Sequence, residues 1–298
     1  MLPRFGYRSW SGKKRLRAIR WWPIARTGIS LIVRRRIFWV FIILGLANFL
    51  FFSSMVYWLA LWKAELAQRG WTLPPLLQIF QFAGAGTSYR DFISTQSTAV
   101  MLLLAFGGSI LVGDDFRFHS VAFYLSRPLS KLDYFLGKLG AAAGLSALMT
   151  LVPALVLYIE YGVFTESLDY FRESAGVFQA IFLYGCLVSV SVSVLLLGIA
   201  ALCRRTILIV AVWGGIFVFL PLVGEIFFHL GEELGATVWQ ARLINFWAIL
   251  QWISDSFFGV REEAYAGRLP WAILVLAGWM LLSVMVFWRK IRGTEVVR

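Results

Sequence analysis

Acidic residues, cysteine and histidine are all scarce in this chain, and each scarcity removes a class of function. Only 16 Asp and Glu stand against 28 Lys and Arg. No Cys/His cluster has the spacing of a zinc site. Cys186 and Cys203 lie near opposite ends of one apolar run; along a helix they are about 25 Å apart, beyond disulfide reach. His119 and His229 fall on opposite membrane sides in the topology derived below, so they cannot ligate one haem. A phosphate loop is also missing. Gly137-Lys138 is followed by Leu139 and has Leu132 where the first glycine of that motif belongs. The expectation is a chain with no nucleotide hydrolysis, metal or cofactor of its own.

Charge is sparse as well. Charged residues make up 15% of the chain and hydrophobic ones 60%, whereas a soluble domain carries about a quarter charged. The apolar residues fall in runs of membrane-crossing length. The whole of 1–298 therefore reads as one integral membrane domain, all-α, with six spans. The net charge of +12 does not point to nucleic acid, because the basic residues cluster beside the apolar runs.

Residues 1–36 hold eleven Lys or Arg and no acid. Within them, Trp21 to Arg36 forms a helical pattern with Trp21, Ile24, Gly28, Leu31 and Ile32 on one side. Arg26, Ser30 and Arg34 fall on another, which suits a helix lying in the membrane interface. The basic stretch and the apolar run after it are both too long for a signal peptide, so a retained span is expected. The six spans are placed at 37–62, 96–113, 134–158, 175–202, 206–228 and 270–288. With the N-terminus inside, 21 of the 28 Lys and Arg lie on the inner side and 7 outside. That bias sets both termini in the cytoplasm. The segment 229–269, rich in Trp, Phe, Leu and Ile, is then an outer helical segment packed over the spans or dipping into the outer leaflet.

Two sets of residues inside or beside the spans have open readings. Gly137, Gly140, Ala141 and Gly144 share one face of the third span and allow close helix approach, either within the chain or at a subunit interface. Glu225 and His229 lie one turn apart near the outer end of the fifth span. They form either an intramembrane polar site or a pair at headgroup level.

Between spans two and three lies a polar island, 114–133. As a helix it places Phe118, Val121, Ala122, Leu125 and Leu129 on one face, and Arg117, Ser120, Tyr124 and Arg127 on another. Its aromatic residues are costly to leave in water, so something apolar must cover them.

The runs Asp114-Asp115-Phe116-Arg117, Tyr124-Leu125-Ser126-Arg127-Pro128-Leu129-Ser130, Asp133-Tyr134 and Gly137-Lys138 resemble the signature between spans two and three of type-2 ATP-binding-cassette (ABC) permeases. The likeness is close over about 25 residues and extends to the rest as a matter of layout. It implies a membrane subunit, working with a second permease chain as a homo- or heterodimer among membrane lipids. A separate cytoplasmic ABC ATPase subunit would bind ATP and Mg. The island would be the coupling helix docked in a cleft of that ATPase, and the N-terminal helix would meet the same subunit.

Carried over by residue, the ATPase-coupling interface is Asp114, Asp115, Phe116, Arg117, Phe118, Val121, Tyr124, Leu125, Ser126, Arg127 and Pro128. Asp115, Arg117 and Arg127 would fix the register. Pro128, lacking an N–H, would end the helix. The function implied is export across a cell membrane, the bacterial plasma or inner membrane. The alternative is a non-transporting relative that transmits mechanical work to an outer-side protein partner. A lipid-modifying membrane enzyme ranks below both, since Glu160, Glu166, Asp169 and Glu173 read as an ordinary outer loop.

Overall fold

A computed structural model describes residues 20–69, 86–118, 120–125, 129–164, 168–203, 205–233, 239–260 and 267–295. Every regular element among them is helical. Six helices are long and apolar enough to cross a membrane: Arg36–Trp58, Gly86–Arg117, Lys131–Phe164, Ala175–Leu202, Thr206–Gly231 and Leu269–Ile291. They are the architecture of a multi-pass membrane protein, and they are called here the first to sixth long helices. The end that carries the island is the island end, and the opposite one is the far end.

The second and fourth long helices form the centre. About seven-tenths of each apolar window is buried (71% and 72%), against 17–22% for the first, fifth and sixth. Val188, Val192, Leu195, Leu196 and Ala200 of the fourth helix are fully enclosed. Gly198 brings the fourth and sixth helices to backbone distance, since a Cβ there would lie 2.7 Å from the Ser283 side chain. The outer helices instead present Val40, Ile43, Ile207, Phe219, Leu274 and Leu281 outward. Such a surface is disfavoured in water and matched by hydrocarbon.

The second long helix begins ten residues before the expected start at Gln96. Its first turns are polar, which masks them in a hydropathy reading, but the polar groups are satisfied. Tyr89 Oη lies 3.0 Å from Tyr170 Oη, Ser94 Oγ lies 3.0 Å from Tyr184 Oη, and Thr95 Oγ1 donates to the Asp91 carbonyl at 2.8 Å. At its other end the same helix widens into a π-turn, Ser109–Gly113, before a last α turn, Asp114–Arg117.

The third long helix is two segments, Lys131–Met149 and Leu151–Phe164, meeting at Thr150. Pro153 in the opening turn of the second segment has no N–H to offer the ladder. The fifth helix also carries a π-turn, Gly215–Phe219, just before Pro221.

Two shorter helices flank the bundle. Trp22–Val33 buries Ile24, Ala25, Gly28 and Ile32 against the third long helix. The far-end helix Phe246–Phe257 opens on Asn245, whose side-chain oxygen accepts from the Trp247 and Ala248 N–H groups at 3.0 and 3.2 Å. It packs on the second, fourth and sixth long helices, burying Phe246, Ile249, Leu250 and Ile253.

Candidate functional site

The island is not one amphipathic helix. The second long helix ends at Arg117, and Phe118 leaves helical geometry at φ −98°, ψ 12°. A second short helix, Ser120–Leu125, follows. The reason lies in what each segment must bury. A single helix would put Phe118 and Val121 on one face; the break instead sends Val121 wholly inside and leaves Phe118 outside.

The chain re-enters the bundle at Ser130. The Ser130 hydroxyl oxygen accepts from the Asp133 N–H at 3.0 Å, and the Ser130 N–H donates to Asp133 Oδ2 at 2.9 Å. This reciprocal cap starts the third long helix. Asp133 thus belongs to that helix and not to the preceding turn.

Beneath the island lies a buried ion pair. Lys138 Nζ is 2.6 Å from Asp115 Oδ2, with the two side chains 3% and 13% exposed. Tyr134 Oη donates to the same carboxylate oxygen at 2.8 Å. The ammonium also lies 5.6 Å from the ring centroids of both Tyr124 and Tyr134, within cation–π reach. Burial, with the Asp115 carboxylate adding to it, raises the Tyr124 hydroxyl above its ordinary pKa.

Phe116 points inward as well. It meets Phe287 of the sixth helix edge-on at 6.1 Å, and Phe287 in turn stacks on Tyr134 at 6.0 Å. The island is thereby fastened to the second, third and sixth long helices at once.

The expected docking set divides accordingly. Asp115, Phe116 and Val121 face the protein's own interior. Arg117 and Phe118 are exposed, Asp114 and Tyr124 partly so. Phe118 is 62% and Phe123 75% exposed, and the Arg117 guanidinium carbon sits 5.1 Å from the Phe118 ring centroid. Phe123 was outside the expected set; an aromatic residue on a short polar segment was the signal for it. Ser126, Arg127 and Pro128 lie outside the described residues, as do the side chain of Leu125 and the whole of His119. A groove of about 500 Å³ runs between the N-terminal helix and the island, lined by Arg20, Thr27, Ser120, Phe123 and Tyr124 among others.

The small-residue face of the third long helix seats the N-terminal helix. A Cβ at Gly137 would lie 2.6 Å from the Ile24 Cβ and 2.9 Å from the Trp21 carbonyl. One at Gly140 would meet the Trp21 ring at 3.1 Å, and Ala141 is fully buried. Gly144 is different: nothing lies within 4 Å of its added Cβ.

At the far end, Glu225 takes its partner from outside the fifth helix. Arg242, in the 3-10 turn Trp239–Ile244, donates to Glu225 Oε2 from Nη2 at 3.0 Å and Nε at 3.2 Å. The same guanidinium lies 3.7 Å over the Phe228 ring. Glu225 and His229 do share the wall of an open groove of about 680 Å³ with Pro221 and Glu233. No sequence periodicity links Arg242 to Glu225.

Two further buried polar contacts were not foreseen. Arg90 pairs with Asp255 of the far-end helix. In the apolar middle, Asn48 Nδ2 donates to Gln96 Oε1 at 2.7 Å, and Gln96 Nε2 donates to the Gly45 carbonyl at 3.2 Å. Compared with known proteins, the chain matches no family model and no curated sequence.

Proposed function

We propose that this chain is the membrane subunit of a type-2 ABC exporter, moving its substrate at the expense of ATP hydrolysed by a separate cytoplasmic subunit. The observation that carries the reading is the island. Its sequence resembles the coupling segment of that family, and it presents two exposed aromatic rings beside an arginine at one end of six long helices. Phe118, Phe123 and Arg117 suit the centre of a protein interface, where aromatic and arginine side chains dominate the energy.

On this reading the docking contacts are Arg117, Phe118, Phe123 and the accessible edges of Asp114 and Tyr124. Asp115, Phe116 and Val121 act behind them, transmitting force to the bundle. The island end faces the cytoplasm, and a second permease chain completes the transporter. The alternative of a work-transmitting subunit draws less support, because Phe246, Ile249, Leu250 and Ile253 of the far-end helix are spent on packing.

Purification of the chain with its native neighbours tests the proposal. Recovery of a nucleotide-hydrolysing subunit in stoichiometric amount is expected. Its absence from gently solubilised membranes overturns the reading.

A further inference from the structure

The seam between the first and third long helices carries a groove of about 390 Å³. Leu46, Phe49, Leu148, Val152 and Val156 line it, together with Gln96, which is buried between the helices. The break of the third helix at Thr150, with Pro153 just after it, falls on this stretch.

Toward the far end, the next contact of the same seam is polar. Ser53 and Glu160 lie one turn beyond Phe49 and Val156, and Ser53 Oγ donates to Glu160 Oε1 at 2.7 Å. Read from the sequence as an outer-loop acid, Glu160 lies inside the helix Leu151–Phe164. One turn further on, the Tyr57 and Phe164 rings meet edge-on at 5.6 Å, and both are exposed. Among the described residues, no lysine or arginine pairs with Glu160. An ionised side chain at membrane depth is costly without a partner. Groove, acid and rings together fit a ligand that brings the missing cation with it.

We propose that this seam binds a single-chain lipophilic ammonium compound. The ammonium sits on Glu160, where the Tyr57 and Phe164 rings add cation–π attraction. The apolar tail runs along the groove toward Gln96, whose Nε2 donates to the Gly45 carbonyl. Ser53 stands about 12 Å from Gly45 along the first long helix, which sets the length of tail the seam accepts. The site goes beyond the export reading and stands or falls apart from it, since binding needs no ATPase.

Depth selects against a phospholipid headgroup. Trp58, exposed at the end of the first long helix, marks the aromatic boundary of the membrane. Ser53 lies about 7 Å inside that boundary. An ammonium carried by phosphatidylethanolamine reaches Glu160 only by drawing its phosphate into hydrocarbon. A single ammonium on an alkyl chain brings no second charge.

The test is a scintillation proximity assay on the full chain in maltoside micelles, with radiolabelled decyltrimethylammonium as the probe. Unlabelled decyltrimethylammonium is expected to displace the label at a concentration at least tenfold below that of decanol or tetramethylammonium. Glu160→Gln is expected to weaken binding at least tenfold. Glu160→Asp keeps the charge and is expected to stay within threefold of the parent, which a misfolding effect at this position cannot explain. Val152→Trp fills the groove and is expected to weaken binding at least fivefold. Leu274→Trp, on the exposed face of the sixth helix, is expected to bind as the parent does. The proposal is overturned if decanol competes equally, if Glu160→Gln binds as the parent, if Glu160→Asp loses as much as Glu160→Gln, or if the two Trp variants behave alike. Displacement of the probe in nanodiscs by phosphatidylethanolamine, but not by phosphatidylglycerol, would make a lipid headgroup the occupant and overturn it too.

Discussion

Lys138 and Asp115 stand 2.6 Å apart beneath the island, each on a different long helix and each nearly hidden from solvent. The pair joins the last turn of one helix to the second turn of the next, across a connection that includes residues 126–128. Tyr134 supplies a hydrogen bond and two tyrosine rings flank the ammonium.

Removing one member strands the other. Lys138→Met is expected to destabilise the chain by about 3–5 kcal/mol, the usual cost of an uncompensated buried charge. Adding Asp115→Asn to it should recover most of that loss. Thermal unfolding of the purified chain in detergent measures both, and an additive double variant would show that the two residues do not act as a pair.

Exposed aromatic residues behave oppositely. Phe118→Ala and Phe123→Ala together should leave stability within about 0.5 kcal/mol. If the proposed export reading holds, capture of a nucleotide-hydrolysing subunit should fall at least tenfold, about 1.4 kcal/mol. Undiminished capture would take both rings out of the interface.

The glycine face of the third long helix gives a graded test. Gly137→Val forces atoms into Ile24 and the Trp21 carbonyl, and such overpacking costs about 1–3 kcal/mol. The N-terminal helix should loosen, seen as faster trypsin cleavage at Arg26. Gly144→Ala meets open space and should cleave at the parent rate.

Gln96→Leu removes the hydrogen bonds to Asn48 and the Gly45 carbonyl. Bonds of this kind between membrane helices contribute on average about 0.6 kcal/mol and at most about 1.7. Thermal unfolding should therefore shift only slightly. A loss of several kcal/mol would mean the site has no alternative partners when opened.

What was legible in the sequence was set by local pattern. The fourth helix, 175–202, was placed to the residue because it is a run without a charged residue, bracketed in sequence by Arg172-Glu173-Ser174 and Arg204-Arg205. The second was cut short at Gln96 because Arg90, Ser94 and Thr95 look soluble until Asp255 and Tyr184 arrive from far along the chain. The same limit governed the island. Periodicity put Phe118 and Val121 on one face, but one helix wheel cannot show a break at Phe118. Nor can it show which ring Phe287 will claim. Charge partners were least legible of all: Glu225 reads with His229 by spacing and bonds to Arg242 by folding.

The π-turn Ser109–Gly113 sets a helical phase. A π-turn holds one more residue than an α turn, and one residue is about 100° of azimuth. The extra residue is taken up within the turn, so everything beyond it keeps the phase of a regular helix one residue shorter, with Asp115 turned inward to Lys138. Deleting a single residue within 109–113 would let the helix close into regular α geometry with that phase kept, whereas one more inserted residue would swing the acid about 100° away from Lys138. This connection therefore answers to residue count as well as to residue identity, and a one-residue insertion there should be worse tolerated than a one-residue deletion.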